Sequence, residues 1–433
     1  MRLPLTAFLL AACSSELPPQ GQVVLYLDTD APLVEPALFD RILVEISAPG
    51  ETDPCRGCTR ELPIDVAKMH DRAFSFGFAA RPRVAGYVAR LRLFRSAGRG
   101  APRPESTIEL VGYLPAVGDE GIVSLTATFS TGDVGRPRGT FAAPIIFKSG
   151  APAASEEGTW SAARDVPCAG SPPPGRACVA GGPFFMGHPG VTVTDASVGG
   201  AREHLVVLGP YFLDEHEVTV SELRASGLAM VDTRGKGLDP IDDHREDIGG
   251  RCDYTVTAGP WDDCPVDCVS WQLARAYCQA KGGDLPTEAQ LERVASVRGQ
   301  TLAPWGNRDP ACNEGGVLRS SRCRTSDPLS LDSRVVPDPP GMGTTDRVDG
   351  IVDLGANLAE WARDDYASDT APCWSSSLLL DPVCQADPKT HSIKGGDLVS
   401  YPIDFVQARR AHAADDRTFS YPEVGFRCAF PAK

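Results

Sequence analysis

Residues 350–361, GIVDLGANLAEW, place oxygen ligands in a tight turn: Asn357 and Glu360 lie three apart, just after Gly355, with Asp353 shortly before them. A half-buried bend that carries an amide and a carboxylate at this spacing suits a hard cation such as Ca²⁺. The competing reading is structural, with Asn357 bonding its own backbone in an Asx turn and Glu360 facing water. Sulfur is the other chemistry on offer. Fourteen cysteines beside only five methionines point to disulfides and an oxidising compartment. Cys168 and Cys178 close ten residues over SPPPG and read as a local bridge, as do Cys312 with Cys323 and Cys373 with Cys384, each pair eleven apart across a polar loop. Cys55 and Cys58 form CRGC in a turn between strands, away from any βαβ setting. They read as a local disulfide or as members of two separate bridges, not as a redox pair.

The elements that position these groups follow from periodicity. Between residues 22 and 138, apolar residues alternate with polar ones: Ile42, Val44 and Ile46; Phe74, Phe76 and Phe78; Ala89, Leu91 and Leu93; Val123, Leu125, Ala127 and Phe129. Six or seven short strands split by Pro, Gly and Asp turns predict an all-β sandwich domain. Residues 139–178, rich in Ala, Ser, Pro and Gly, are expected to be a linker. Beyond it, Ser270 is a good N-cap for a helix over residues 271–281, with Leu273, Ala274, Tyr277 and Cys278 on its inner face. Thr287 with Gln290 makes a capping box for a second helix with Leu291, Val294 and Ala295 inward. The remainder is loop-dominated, which predicts an α+β domain with little regular secondary structure.

Charge and motifs exclude several functions. The formal net charge of −15 leaves no surplus of Lys and Arg for phosphate, so no nucleic-acid partner is expected. No G-x-S-x-G elbow and no Walker A loop is present. The N-terminus, MRLPLTAFLLAAC, has an apolar run too short to span a bilayer and reads as an export signal. Its LAAC at residues 10–13 resembles the lipobox of bacterial lipoproteins. That resemblance implies a signal peptide over residues 1–12, lipid on Cys13, a tether over residues 13–21, and a membrane-anchored protein of the bacterial cell envelope, facing the periplasm or cell surface. An ordinary cleaved signal peptide is the alternative.

Eight motifs occur in order in the last 255 residues: GGPFFMG, EVTVSEL, PVDCVSW-x5-YC, GGDLPTEAQLE, PWGN, GIVDLGANLAEW, KGGD and GFRC. Residues 179–433 thereby resemble the formylglycine-generating enzyme family, also called sulfatase-modifying factors. The resemblance implies a C-type-lectin-like fold, structural Ca²⁺ bound through the segments that match Asn313, Asn357 and Glu360, and a disulfide between Cys278 and Cys428. In active members it implies oxidation of a substrate cysteine with copper and O₂. Of Cys252, Cys264 and Cys268, one thiol is then left over, and Cys268, in the hydrophobic CVSW run, is the expected one.

The chain departs from the family at the two copper-binding cysteines. Counting from Gly395 and Gly396, Ser400 and Phe405 stand at those positions. A serine hydroxyl is a poor ligand for Cu(I) and phenylalanine is none, so copper is not expected and no catalytic residue is assigned. Cys373 with Cys384, or Cys264 with Cys268, are the thiols that could stand in. The seven histidines contain no His-x3-His pair for a metal; His216 reads as a surface residue at a strand end and His412 as a groove residue. These features predict a non-catalytic module that binds a protein, peptide or glycan. The alternatives are a formylglycine-generating oxidase with displaced thiols and a purely structural surface protein.

Overall fold

The computed structural model describes residues 21–35, 37–79, 81–96, 102–160, 163–188, 202–228, 253–308, 337–368, 371–375, 378–396 and 423–432, together with the backbone of 411–414. The N-terminal strands form two sheets. One runs Ser75–Phe78, Gln22–Thr29, Ile122–Phe129, Lys148–Ser149, and the other Pro54–Pro63, Arg41–Ser47, Tyr87–Phe94, Ile108–Leu114, Ile145–Ile146. Period-two alternation turns Val23, Leu25 and Leu27 of the first sheet, and Ile42, Val44, Ile46 and Leu91 of the second, into one shared core. Each such side chain contributes roughly 1.5–3 kcal/mol on leaving water. Two features differ from the sequence reading. Val66 starts a short helix, Val66–His70, capped by Asp65. Residues 145–149 lie in the expected linker yet add a strand to each sheet, because Ile145 and Phe147 pack on the core.

The C-terminal half consists of short pieces, as its composition predicts. Besides a two-stranded ribbon of Arg347–Val348 and Ile351–Val352, three small sheets run Arg176–Val179, Tyr211–Asp214, Ala429–Pro431; Gly182–Met186, His204–Leu208, Leu378–Leu380; and Ala411–Ala414, Thr390–Lys394, Ala359–Asp365, Val424–Gly425. Both predicted helices form, as Trp271–Ala280 capped by Ser270 and Glu288–Ala295 with the Thr287–Gln290 capping box. A third, Val220–Ala225, carries its own box from Thr219 and Glu222. Ala274, Tyr277, Cys278, Leu291, Val294 and Ala295 are buried, and half-buried Leu273 packs against the same core as Ala274, Tyr277 and Cys278.

The two halves share apolar surface. Phe185 and Leu205 of the C-terminal half belong to the N-terminal core, and Phe185 meets Phe39 edge to face with centroids 5.5 Å apart. Arg95 crosses the same boundary: it lies over the Phe185 ring, pairs with Glu203 at 3.3 Å and donates to the carbonyl of Gly299. Gln300 reaches the carbonyl of Ala37 at 3.2 Å. Among the described residues, no helix is long and apolar enough to cross a membrane.

Candidate functional site

The turn at 350–361 is fully buried at Ile351, Ala356 and Trp361. Asp353 and Asn357 take positive φ, 55° and 79°, and Asn tolerates that conformation better than most residues. Gly355 is required: a Cβ there would come within 2.9 Å of Pro304 and Trp305. Asp346 holds the bend, accepting from the backbone N–H of Leu354 and of Gly355, both at 3.0 Å. The Asn357 amide donates to Glu217 at 2.9 Å and its oxygen accepts from the N–H of Asp338 at 3.0 Å. Glu217 also accepts from the N–H of Leu358 at 3.1 Å. Trp361 anchors the exit through its indole N–H, 2.9 Å from the carbonyl of Val269.

Arg427, in GFRC, is the cation of this site. Its Nε lies 2.9 Å from each oxygen of Glu360 and a terminal nitrogen lies 2.6 Å from one of them. The same terminal nitrogen donates to the carbonyls of Val352 and Asp353. Four buried carboxylates, Glu217, Asp346, Asp353 and Glu360, surround the one guanidinium. Burial, then the charges of Asp353 and Glu360, push Glu217 well above the ordinary carboxylate range. Burial, with Asp353 second, raises Asp346 to about 7. Burial also raises Asp353 and Glu360, in each case against the pull of Arg427. Burial alone would lower Arg427; Glu360 first, then Glu217 and Asp353, hold it above its usual value.

Tested against calcium, this donor set fits poorly. Both oxygens of Glu360 face a guanidinium, and the Asn357 amide is committed to Glu217 and Asp338. A hard cation at Glu360 would therefore compete with a positive charge already in place. Among the described residues, no group of three or more His, Cys, Asp or Glu side chains has a metal-holding arrangement. Asn313, Ser400, Phe405, Cys13, and Cys312 with Cys323 lie outside the described residues. The entry to the loop that carries Ser400 and Phe405 is described: Gly396 donates to the carbonyl of Gly355 at 3.0 Å, and buried Lys394 pairs with Glu292 at 2.8 Å. The turn and the described start of that segment are thus hydrogen-bonded to each other.

The sulfurs are largely accounted for. Disulfides join Cys278 with Cys428, Cys168 with Cys178, Cys373 with Cys384 and Cys55 with Cys58. Cys268 is also disulfide-bonded, which corrects the expectation that it keeps the leftover thiol. The thiol is carried by Cys264, buried at 5% exposure. Burial could not separate the two, because Cys268 is buried as well, at 2%. The side chain of His412 lies outside the description, and half-buried His216 contacts the carbonyl of Glu217 at 2.7 Å. Sequence reasoning missed Arg427, Glu217 and Asp346. The available signal was a charged residue between Phe426 and Cys428, which a buried segment carries only when it is paired.

This geometry lies within the segment that comparison assigns to a family. The family model of the sulfatase-modifying factor enzyme 1-like domain matches residues 163–432. The formylglycine-generating enzyme of Thermomonospora curvata is 29% identical over 174 residues, covering 38% of this chain and 55% of that protein. The formylglycine-generating enzyme of Mycobacterium tuberculosis is 25% identical over 296 residues, covering 57% of this chain and 95% of that protein. Among solved structures, PvdO from Pseudomonas aeruginosa superposes with a TM-score of 0.42 at 20% identity, over 59% of this chain and 93% of that one. The match takes in the turn, Arg427 and the loop entry, and the chain belongs to the family of the sulfatase-modifying factor enzyme 1-like domain.

Proposed function

We propose that this chain is a lipid-anchored cell-envelope protein whose family domain binds a peptide, protein or glycan without oxidising it. One observation carries the reading: the thiols that copper chemistry requires are spoken for. The two family cysteine positions hold Ser400 and Phe405. The candidate stand-ins Cys373 and Cys384 are bonded to each other, Cys268 is in a disulfide, and Cys264 is buried. Two thiolates facing one Cu(I) are not to be had among the described residues. Within the same proposal, the C-terminal half is a C-type-lectin-like shell and the N-terminal two-sheet domain a β-sandwich that spaces it from the lipid on Cys13. Any structural calcium in this reading draws on the segment of Asn313 and not on Glu360.

The test incubates the purified protein with Cu(I), O₂ and a cysteine-bearing sulfatase-type peptide and follows the peptide by mass spectrometry. Unchanged peptide is expected. An aldehyde product that disappears in Cys373→Ser or Cys384→Ser would establish the oxidase with displaced thiols instead. The anchor is tested apart from this, by partition into detergent that Cys13→Ala abolishes.

A further inference from the structure

We infer that the Cys55–Cys58 disulfide is a thiol-exchange site, presented to external thiols on the outer edge of the N-terminal domain. The strand Pro54–Pro63 is the terminal strand of the five-stranded sheet and, among the described residues, pairs only with Arg41–Ser47. Along that pair Glu45 faces Thr59 and Ser47 faces Pro54. Ile46 alone therefore spans four residues of the neighbour, Cys55 to Cys58, which bulge from the sheet edge. Gly57 turns the bulge at φ 78°, with open space where a Cβ would stand. Arg56 and Gly57 are exposed, and both cysteines are half-buried.

The four located disulfides differ in what shields them. Cys278 and Cys428 are fully buried in a core, Cys168 and Cys178 pack against the same core, and Cys373 and Cys384 belong to another. Cys58 leans on the N-terminal core, whereas Cys55 belongs to no apolar cluster, alone among these eight sulfurs. The bridge also closes the shortest loop of the four, three residues apart against ten, eleven and 150. Loop-closure entropy therefore gives it the least part in holding the fold. A half-buried bridge at a sheet edge, flanked by exposed residues and stabilising little, is the kind that exchanges.

An external thiolate attacks Sγ of Cys55, forming a mixed disulfide. The bond to Cys58 breaks, and Cys58 leaves as a thiolate that takes up a proton. A second external thiol then attacks the mixed disulfide. The net change oxidises two external thiols to one disulfide and reduces Cys55 and Cys58 by two electrons. The thiol can be a small molecule or a cysteine in an extended peptide.

The full chain is equilibrated in cysteine–cystine buffers of increasing reducing power, alkylated and mapped by mass spectrometry. Cys55 and Cys58 are expected to open first, with the near-ultraviolet circular dichroism unchanged and the other three bridges intact. If Cys168–Cys178 opens first, or Cys55–Cys58 opens only with loss of the fold, the inference fails. In Cys58→Ser, the remaining Cys55 thiol is offered cystine or a peptide with an activated disulfide. Adducts with cystine alone mark small thiols as the partner and adducts with the peptide mark protein thiols, while no adduct with either overturns the proposal.

Discussion

Arg427 grips Glu360 through both carboxylate oxygens, and neither residue reaches water. Removing one partner of such a pair leaves an uncompensated buried charge, which costs about 3–5 kcal/mol. Glu360→Gln is expected to lose that much in urea unfolding. Arg427→Met loses more, because it strands four carboxylates instead of one cation. Since Glu360 is served by Arg427, a chelator should shift the melting temperature of the wild type and of Glu360→Gln equally. A shift confined to the wild type would show Glu360 to be a calcium ligand.

The buried carboxylates set a pH dependence. Burial raises Asp346 to about 7 and Asp214 and Asp253 to about 6. A raised value in the fold means that stability is fully present below the ordinary carboxylate range and is lost as pH climbs through 6 and 7. Buried His188, lowered to about 4, acts in the opposite sense, its contribution being lost as pH falls from 6.5 toward 4. By pH 7.5 that histidine is neutral in the folded and the unfolded chain alike, whereas Asp346 still gives up its proton near 7, so the melting temperature should fall across pH 7 on account of Asp346. Asp346→Asn, which keeps an oxygen for Leu354 and Gly355, should flatten this slope.

The bridge between Cys278 and Cys428 closes a loop of 150 residues with both sulfurs fully buried. In the chain-entropy picture such a crosslink is worth roughly 5 kcal/mol. The double variant Cys278→Ala with Cys428→Ala is expected to lose up to that much in denaturant unfolding. A loss below about 1 kcal/mol would mean that the reduced unfolded chain keeps this contact.

Arg95 joins the two halves through Glu203 and Phe185. Arg95→Met keeps most of the apolar contact and leaves Glu203 buried without its cation. It is expected to cost about 3–5 kcal/mol and to split a single calorimetric transition into two. A wild type that already melts in two separate steps would show that the boundary does not couple the halves.

Local elements were legible where one short-range rule decides them. Ser270, Thr287 and Gln290 cap helices because a side chain and a backbone N–H three residues apart suffice. Strands with an alternating apolar face, such as Gln22–Thr29 and Tyr87–Phe94, were equally plain. Contacts between distant residues were hidden. Nothing near Arg427 in the chain announces Glu360, 67 residues earlier, and nothing near Arg95 announces Glu203. The turn at 350–361 was recognised as an oxygen-rich bend, but its cation comes from the protein itself. The strands at 145–149 are two residues each and surrounded by Pro and Gly, so no periodicity could show them.

The shared surface around Phe39, Phe185 and Leu205 means that the stretch inherited as a family and the stretch that folds as one body have different limits. A fragment cut at the homology boundary would bare an oily patch and an orphaned glutamate, and should clump where the whole chain stays dispersed.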